Sequence, residues 1–188
     1  MSKLARAGVC LMACVLAAPC LRATTAVERS NADMTQEAAL IVIGQCSDTH
    51  SAWVGRGLVT VASIAVGEVL KGHPATRITV VLPGGIDSNR PVPIATTWPA
   101  APHIESGEKV LLFLVPQSLI PGSFSVVGFA QGKFGIMADR QGQLLAMRDL
   151  SALELASPSG SHPGRAGTVP LRALRQEVLD VLAPGPRQ

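Results

Sequence analysis

From residue 38 onward, short apolar runs recur between clusters of Gly, Pro, Asn and Asp, the spacing of an all-β barrel or sandwich. Residues 39–46 (ALIVIGQC) are the first predicted strand, with Leu40, Val42, Gly44 and Cys46 on one face and Ile41, Ile43 and Gln45 on the other. Apolar residues on both faces predict a strand covered from both sides at its start. A polar connection over 47–57 comes next, then a long second strand over 58–70 whose Leu58, Thr60, Ala62, Ile64 and Val66 share a face. Gly67 allows a bulge there and lets Val69 or Leu70 return to the core. Lys71-Gly72-His73-Pro74 ends the strand as a turn, because Pro cannot continue a ladder.

The third strand, 77–82 (RITVVL), is stopped by Pro83-Gly84-Gly85. Pro91, Pro93, Pro99 and Pro102 restrict the next stretch to at most a short edge strand around 92–97. Residues 108–115 (EKVLLFLV) and 124–129 supply two more strands, and 132–137 with 143–147 form an extra hairpin around Asp139-Arg140-Gln141-Gly142. Near the C-terminus the period changes. Leu171, Leu174, Val178 and Leu182 make one apolar stripe opposite Arg172, Gln176 and Asp180, which predicts a helix over 168–183 with Thr168 as cap and Pro170 in its first turn. Strands of this number and order predict an all-β fold, a five-stranded barrel of the oligonucleotide/oligosaccharide-binding (OB) type with an extra hairpin and a C-terminal helix packed on it. The barrel domain spans 38–150, and the Ser-, Pro- and Gly-rich region up to residue 167 reads as a linker, 151–167.

The N-terminal region alters the chemistry of the rest of the chain. Lys3 and Arg6 precede an apolar run over 7–18 that is too short to span a bilayer, and small residues continue to Ala26. This predicts an export signal over 1–26, cleaved after Ala26, with the polar 27–37 as a flexible lead-in. Three of the four cysteines (Cys10, Cys14, Cys20), three of the sixteen basic residues (Lys3, Arg6, Arg22) and none of the thirteen acidic ones leave with the signal. The exported chain, periplasmic or extracellular, is then neutral. Without a surplus or cluster of Lys and Arg it cannot displace counterions from phosphates, so neither nucleic acid nor an anionic lipid surface is expected as a partner, and no membrane span is expected in the mature chain. Cys46 remains alone and closes no intramolecular disulfide. It is either a small buried strand residue or a thiol for intermolecular pairing, and no flanking basic residue lowers its pKa.

The run Ile41-Val42-Ile43-Gly44-Gln45, the later Val69-Leu70-Lys71-Gly72, and Gly107-Glu108-Lys109-Val110-Leu111-Leu112-Phe113-Leu114 resemble the netrin-like module over roughly residues 38–137. Tissue inhibitors of metalloproteinases belong to that group, as do small exported bacterial proteins, whose pattern Gln131-Gly132-Lys133-Phe134 also resembles. The resemblance implies the barrel. It does not carry the inhibitory chemistry across, because those inhibitors chelate the target's zinc through an N-terminal cysteine and are held by several disulfides. A mature start near Val27 has no cysteine, and Cys46 has no partner.

No Gly-x-Ser-x-Gly elbow, His-Glu-x-x-His, Cys-x-x-Cys or phosphate loop occurs in the chain. His50, His73, His103 and His162 lie in polar or Pro/Gly-rich stretches, and neither Asp48-x-His50 nor His103-x-Glu105 has a third ligand at metal-site spacing. No cofactor and no bound metal are therefore expected. Large rings are scarce: there is no Tyr, and Trp53 and Trp98 are the only tryptophans. Each either covers an end of the barrel or anchors a partner. The connection carrying Asp48, His50, Trp53 and Arg56 concentrates ring and polar groups between the first two strands, where barrels of this class place recognition loops. The leading expectation is thus a non-catalytic exported binding module that contacts a protein or peptide through these four residues. A netrin-like protease inhibitor, a hydrolase using the histidines, and a structural envelope component are the alternatives.

Overall fold

The computed structural model describes residues 24–183, so residues 1–23 of the signal predicted over 1–26 lie outside them. In chain order, β1 (Thr24–Val27) and helix α1 (Asn31–Glu37) lead into β2 (Leu40–Val54) and β3 (Gly57–Lys71), which form a long antiparallel hairpin. Next come β4 (Arg77–Pro83), the short ribbon β5 (Gly85–Asp87) and β6 (Ile94–Thr96), then β7 (Lys109–Pro116) and β8 (Phe124–Val126). The hairpin β9 (Lys133–Ala138) and β10 (Leu144–Arg148), strands β11 (Leu153–Ser157), β12 (Gly160–Pro163) and β13 (Gly167–Pro170), and helix α2 (Leu171–Leu182) complete the chain.

Pairing runs β2-β3-β4-β8-β7, and β7 returns to β2, so five strands form a barrel. Its closure is partial: β8 touches β4 through one parallel pair, Val80 with Phe124. The all-β barrel expected from the strand pattern is the architecture observed. β7 also pairs with β9, and β9, β10 and β13 extend the sheet beyond the barrel.

The alternation in β2 explains two cores. Leu40, Val42 and Cys46 point into the barrel with Ala62, Ile64, Val80, Leu112 and Leu114. Ile41 and Ile43 point outward with Leu111, Phe113, Phe134 and Ile136, beneath the helices, which contribute Met34, Leu171, Leu174 and Val178. Leu182 packs at the edge of that cluster, and Leu70 returns to it past the bulge at Gly67. Cys46 is buried, its Sγ 3.3 Å from the Asp48 carbonyl oxygen. Burial is the main cause that pushes its thiol pKa up, which makes it a poor nucleophile.

Three stretches differ from the sequence expectation. Residues 27–37 are not a flexible lead-in: Ser30 and Asp33 form a reciprocal capping box that starts α1, and Met34 and Thr35 are buried beneath it. β1 runs parallel to β11, with Val27 opposite Ala156. The buried Gln131 side chain clamps the end of β1 and the approach to α1, its Nε2 donating to the Val27 carbonyl at 2.9 Å and its Oε1 accepting from the Arg29 amide at 2.9 Å. A cut after Ala26 would therefore fall inside a paired strand. Residues 151–167 are not a linker either. Leu153 and Leu155 are buried on β11, and the Ser- and Gly-rich run makes the turn to β12, with Gly160 at φ 128°. Thr168 lies in β13 opposite Met147, so α2 starts at Leu171 behind Pro170 with no side-chain cap.

Candidate functional site

The polar run over 47–57 is not a loop. It is the outer half of β2 and the tip of the hairpin. Cys46 faces Ile64 and Asp48 faces Ser63, so Ser47 is an extra, unpaired residue. Such a bulge moves every later side chain to the opposite face from the one that simple alternation gives. Thr49, Ser51 and Trp53 therefore lie opposite Ala62, Thr60 and Leu58, on the barrel-facing side, while Asp48 and His50 lie on the outer side with Val61. The four predicted site residues are accordingly divided. Asp48 and His50 touch, Nδ1 to Oδ2 at 3.3 Å, and both are largely exposed. Trp53 stands on the other face, and Arg56 sits in the turn, where Gly55 supplies a φ of 61° at the first central position, as a type II′ hairpin requires.

Trp53 has partners that the sequence reading missed. Its Nε1 donates to Asp87 Oδ2 at 2.8 Å, and the same oxygen accepts from Arg90 Nε at 2.9 Å. Asp87 Oδ1 accepts from the Asn89 amide at 3.1 Å, and the Arg90 guanidinium lies 5.5 Å from the Trp53 ring centroid, within cation–π range. The Trp53 hydrogen bond first, then those from Arg90 and Asn89, holds the Asp87 carboxyl below the usual carboxylate range.

This latch fastens the β5–β6 ribbon to the hairpin. Ser51 Oγ accepts from the Ile86 amide at 2.9 Å, and Thr60 Oγ1 donates to the Gly84 carbonyl at 2.9 Å. Gly85 permits the approach: a Cβ there would sit 2.7 Å from Ser51 Oγ and 3.1 Å from the Val59 carbonyl oxygen. The sequence signals were present in Pro83-Gly84-Gly85 and in the Asp87-x-x-Arg90 spacing, but both read as punctuation in a Pro-rich stretch.

Between ribbon and hairpin runs a cleft of about 470 Å³ lined by Ser51, Thr60, Ile86, Thr97, Trp98 and His103 among others. Trp98 is 57% exposed and opens a tight turn in which the Ala101 amide donates to its carbonyl at 3.1 Å. Pro99 takes the second position of that turn, and Ala100 the third with φ 65°, where glycine is usual. A non-glycine residue held there costs about 1–3 kcal/mol, and such strain collects at functional sites. Its anchor is a hydrogen bond from the Ala130 amide to the Ala100 carbonyl, 3.2 Å, next to Phe129, the other non-glycine residue with positive φ, 57°, among the described residues. Beyond the cleft, β6 pairs only with β5, leaving its second edge open among the described residues.

Chemically the arrangement offers ring faces, a free strand edge and a few fixed hydrogen-bonding groups. The Asp48–His50 pair has no hydroxyl hydrogen-bonded to His50 among the described residues, and no three His, Cys, Asp or Glu side chains converge there. No helix of the described residues is long and apolar enough to cross a membrane. No protein-family model matches the chain, and no curated protein is similar to it.

Proposed function

We propose that this protein is an exported binding module that takes an extended peptide segment of a protein partner into the cleft between the β2–β3 hairpin and the β5–β6 ribbon. The observation that carries the reading is the placement of both tryptophans of a ring-poor chain at this ribbon. Trp98 stands exposed in the cleft wall on a strained turn, and Trp53 is 43% exposed and latched to Asp87. Interface hot spots favour such fixed aromatics, since little side-chain entropy remains to be lost on docking. The open edge of β6 supports an extended ligand, because main-chain groups there can pair with an added strand while the rings supply contact area. The neutral charge balance after signal removal supports a polypeptide over a nucleic acid. A netrin-like barrel is compatible with the reading, and binding requires no catalytic residue.

Selection of a displayed random-peptide library on the protein tests it, with tryptophan fluorescence as the binding readout. Selected peptides should lose at least about tenfold in affinity to Trp98→Ala, at an unchanged melting temperature. Peptides that bind Trp98→Ala as well as the parent would refute the cleft assignment.

A further inference from the structure

A second concavity, about 560 Å³, lies on the face of the β9–β10 hairpin that the helices leave open. Ile136 pairs with Ala146, and both belong to the core beneath the helices, so the next residues, Met137 on β9 and Met147 on β10, point to the opposite face. Both line the concavity, and they are 51% and 41% exposed. Met147 pairs with Gly135 and Met137 with Leu145, which makes the two thioethers diagonal neighbours on one face, a separation that long side chains bridge. Gly135 has no side chain of its own, and the ends of Glu108 and Lys133 lie over it, where a Cβ would meet them at 3.0 and 3.7 Å. His103 lines the same concavity from the segment after Pro102. Its Nε2 lies 3.5 Å from Glu105 Oε1, with both side chains largely exposed, and Nδ1 faces no carboxylate within that pair.

Two thioethers and one imidazole are a soft donor set. Zinc sites use thiolate, imidazole and carboxylate, and calcium and magnesium take oxygen, whereas thioether ligands select Cu(I). We infer that Met137, Met147 and His103 form a Cu(I)-binding site on the open face of the β9–β10 hairpin. The lining charges balance: Lys133 is paired with Glu108 at 2.5 Å, and Arg148, whose guanidinium lies over the Phe134 ring, is matched by Asp149. His103 borders both this concavity and the peptide cleft, whereas Met137 and Met147 line this concavity and not the cleft, so the two methionine variants report on the metal site apart from peptide binding.

The test is an anaerobic titration of the full chain carrying Cys10→Ser, Cys14→Ser, Cys20→Ser and Cys46→Ala, so that no thiol competes. Cu(I) is delivered against a chromophoric Cu(I) chelator, and Ag(I) serves as a redox-inert probe monitored by NMR of the methionine methyls. One Ag(I) per chain should move the methyl signals of Met137 and Met147 and the ring signals of His103, and leave Met34 in place. Met137→Leu, Met147→Leu and His103→Ala should each weaken Cu(I) binding at least tenfold without changing the circular dichroism spectrum, since all three side chains are exposed. Unmoved Met137 and Met147 methyls, or Leu variants that hold Cu(I) as tightly as the parent, would overturn the site.

Discussion

Residues 40–46 and 47–54 belong to one strand, β2, yet they are built for different purposes. The inner half is apolar on both faces and buried almost throughout, sandwiched between the barrel interior and the helix-covered layer. The outer half, past the bulge at Ser47, is mostly exposed and carries Ser51 and Trp53 against the ribbon. Hydrophobic burial on two faces fixes the strand at one end, so the other end can present polar and aromatic groups without the domain depending on them. Stability should therefore respond to changes in the inner half and its partners, and recognition to changes in the outer half.

The largest effect is expected where the inner half of β2 meets β7. Leu112 pairs with Val42 and is fully buried in the barrel. Leu112→Ala should destabilise the fold by about 2–5 kcal/mol, the range for emptying a packed aliphatic site. Trp53→Ala should change stability by far less. Urea melts of the two variants compare the halves directly, and equal losses would erase the distinction drawn between them.

Glycines give the next, sharper contrast. A Cβ on Gly44 would sit 2.6 Å from both the Ala65 carbonyl oxygen and Ile64 Cγ2, in a strand closed on both sides. Gly44→Ala should cost about 1–3 kcal/mol through overpacking. At the hairpin tip, a Cβ on Gly57 meets only the Val54 carbonyl oxygen at 3.6 Å, so Gly57→Ala should stay within about 0.5 kcal/mol. Thermal melts of the two variants test whether space is as tight inside as it is loose outside.

Beside the barrel, β1 extends the comparison to the N-terminus. A chain that begins at Val27 loses three of the four β1 residues paired with β11, whereas one that begins at Thr24 keeps them all. The shorter chain should be less stable by about 1–2 kcal/mol, a net value for a few backbone hydrogen bonds. Matching melting curves for the two chains would show that β1 adds nothing. Where expression yields a chain shortened at its N-terminus, mass spectrometry should find Thr24 retained.

These contrasts also show how far the sequence could be read. Two-sided apolarity in β2, the bend at Gly67 and the α2 stripe were legible because burial imposes a period on the residues themselves. The outer half of β2 was not, because an exposed hairpin needs no apolar alternation, and Asp48 to Trp53 read as a polar loop. A one-residue bulge at Ser47 leaves no mark in composition, yet it decides that Asp48 and His50 face away from Trp53. Asp87 and Arg90 were missed for a related reason. The link from Asp87 to Trp53 spans 34 residues, with the whole of β3 and β4 between them, and only the fold brings it together. The capping box before α1 was readable in Ser30-x-x-Asp33, but polar composition outweighed it.

The smallest effect, and the most local, is expected at the Trp53–Asp87 latch. Its hydrogen bonds lower the Asp87 pKa in the folded state below the unfolded value. A depressed carboxylate pKa contributes stability that is fully present above the unfolded pKa, about 4, and is lost as pH falls through the folded value. The latch should thus hold from about pH 5 to 8 and loosen only under strong acid, while the buried inner half of β2 keeps its structure. In a Trp98→Phe background, where Trp53 is the single fluorophore of its kind, its emission should be flat above about pH 5 and shift below about pH 4. Asp87→Asn should abolish that shift, with the far-ultraviolet circular dichroism of both proteins unchanged over the neutral range. An emission change that persists in Asp87→Asn would assign the titration to another group and detach the ribbon from the carboxylate that is argued to hold it.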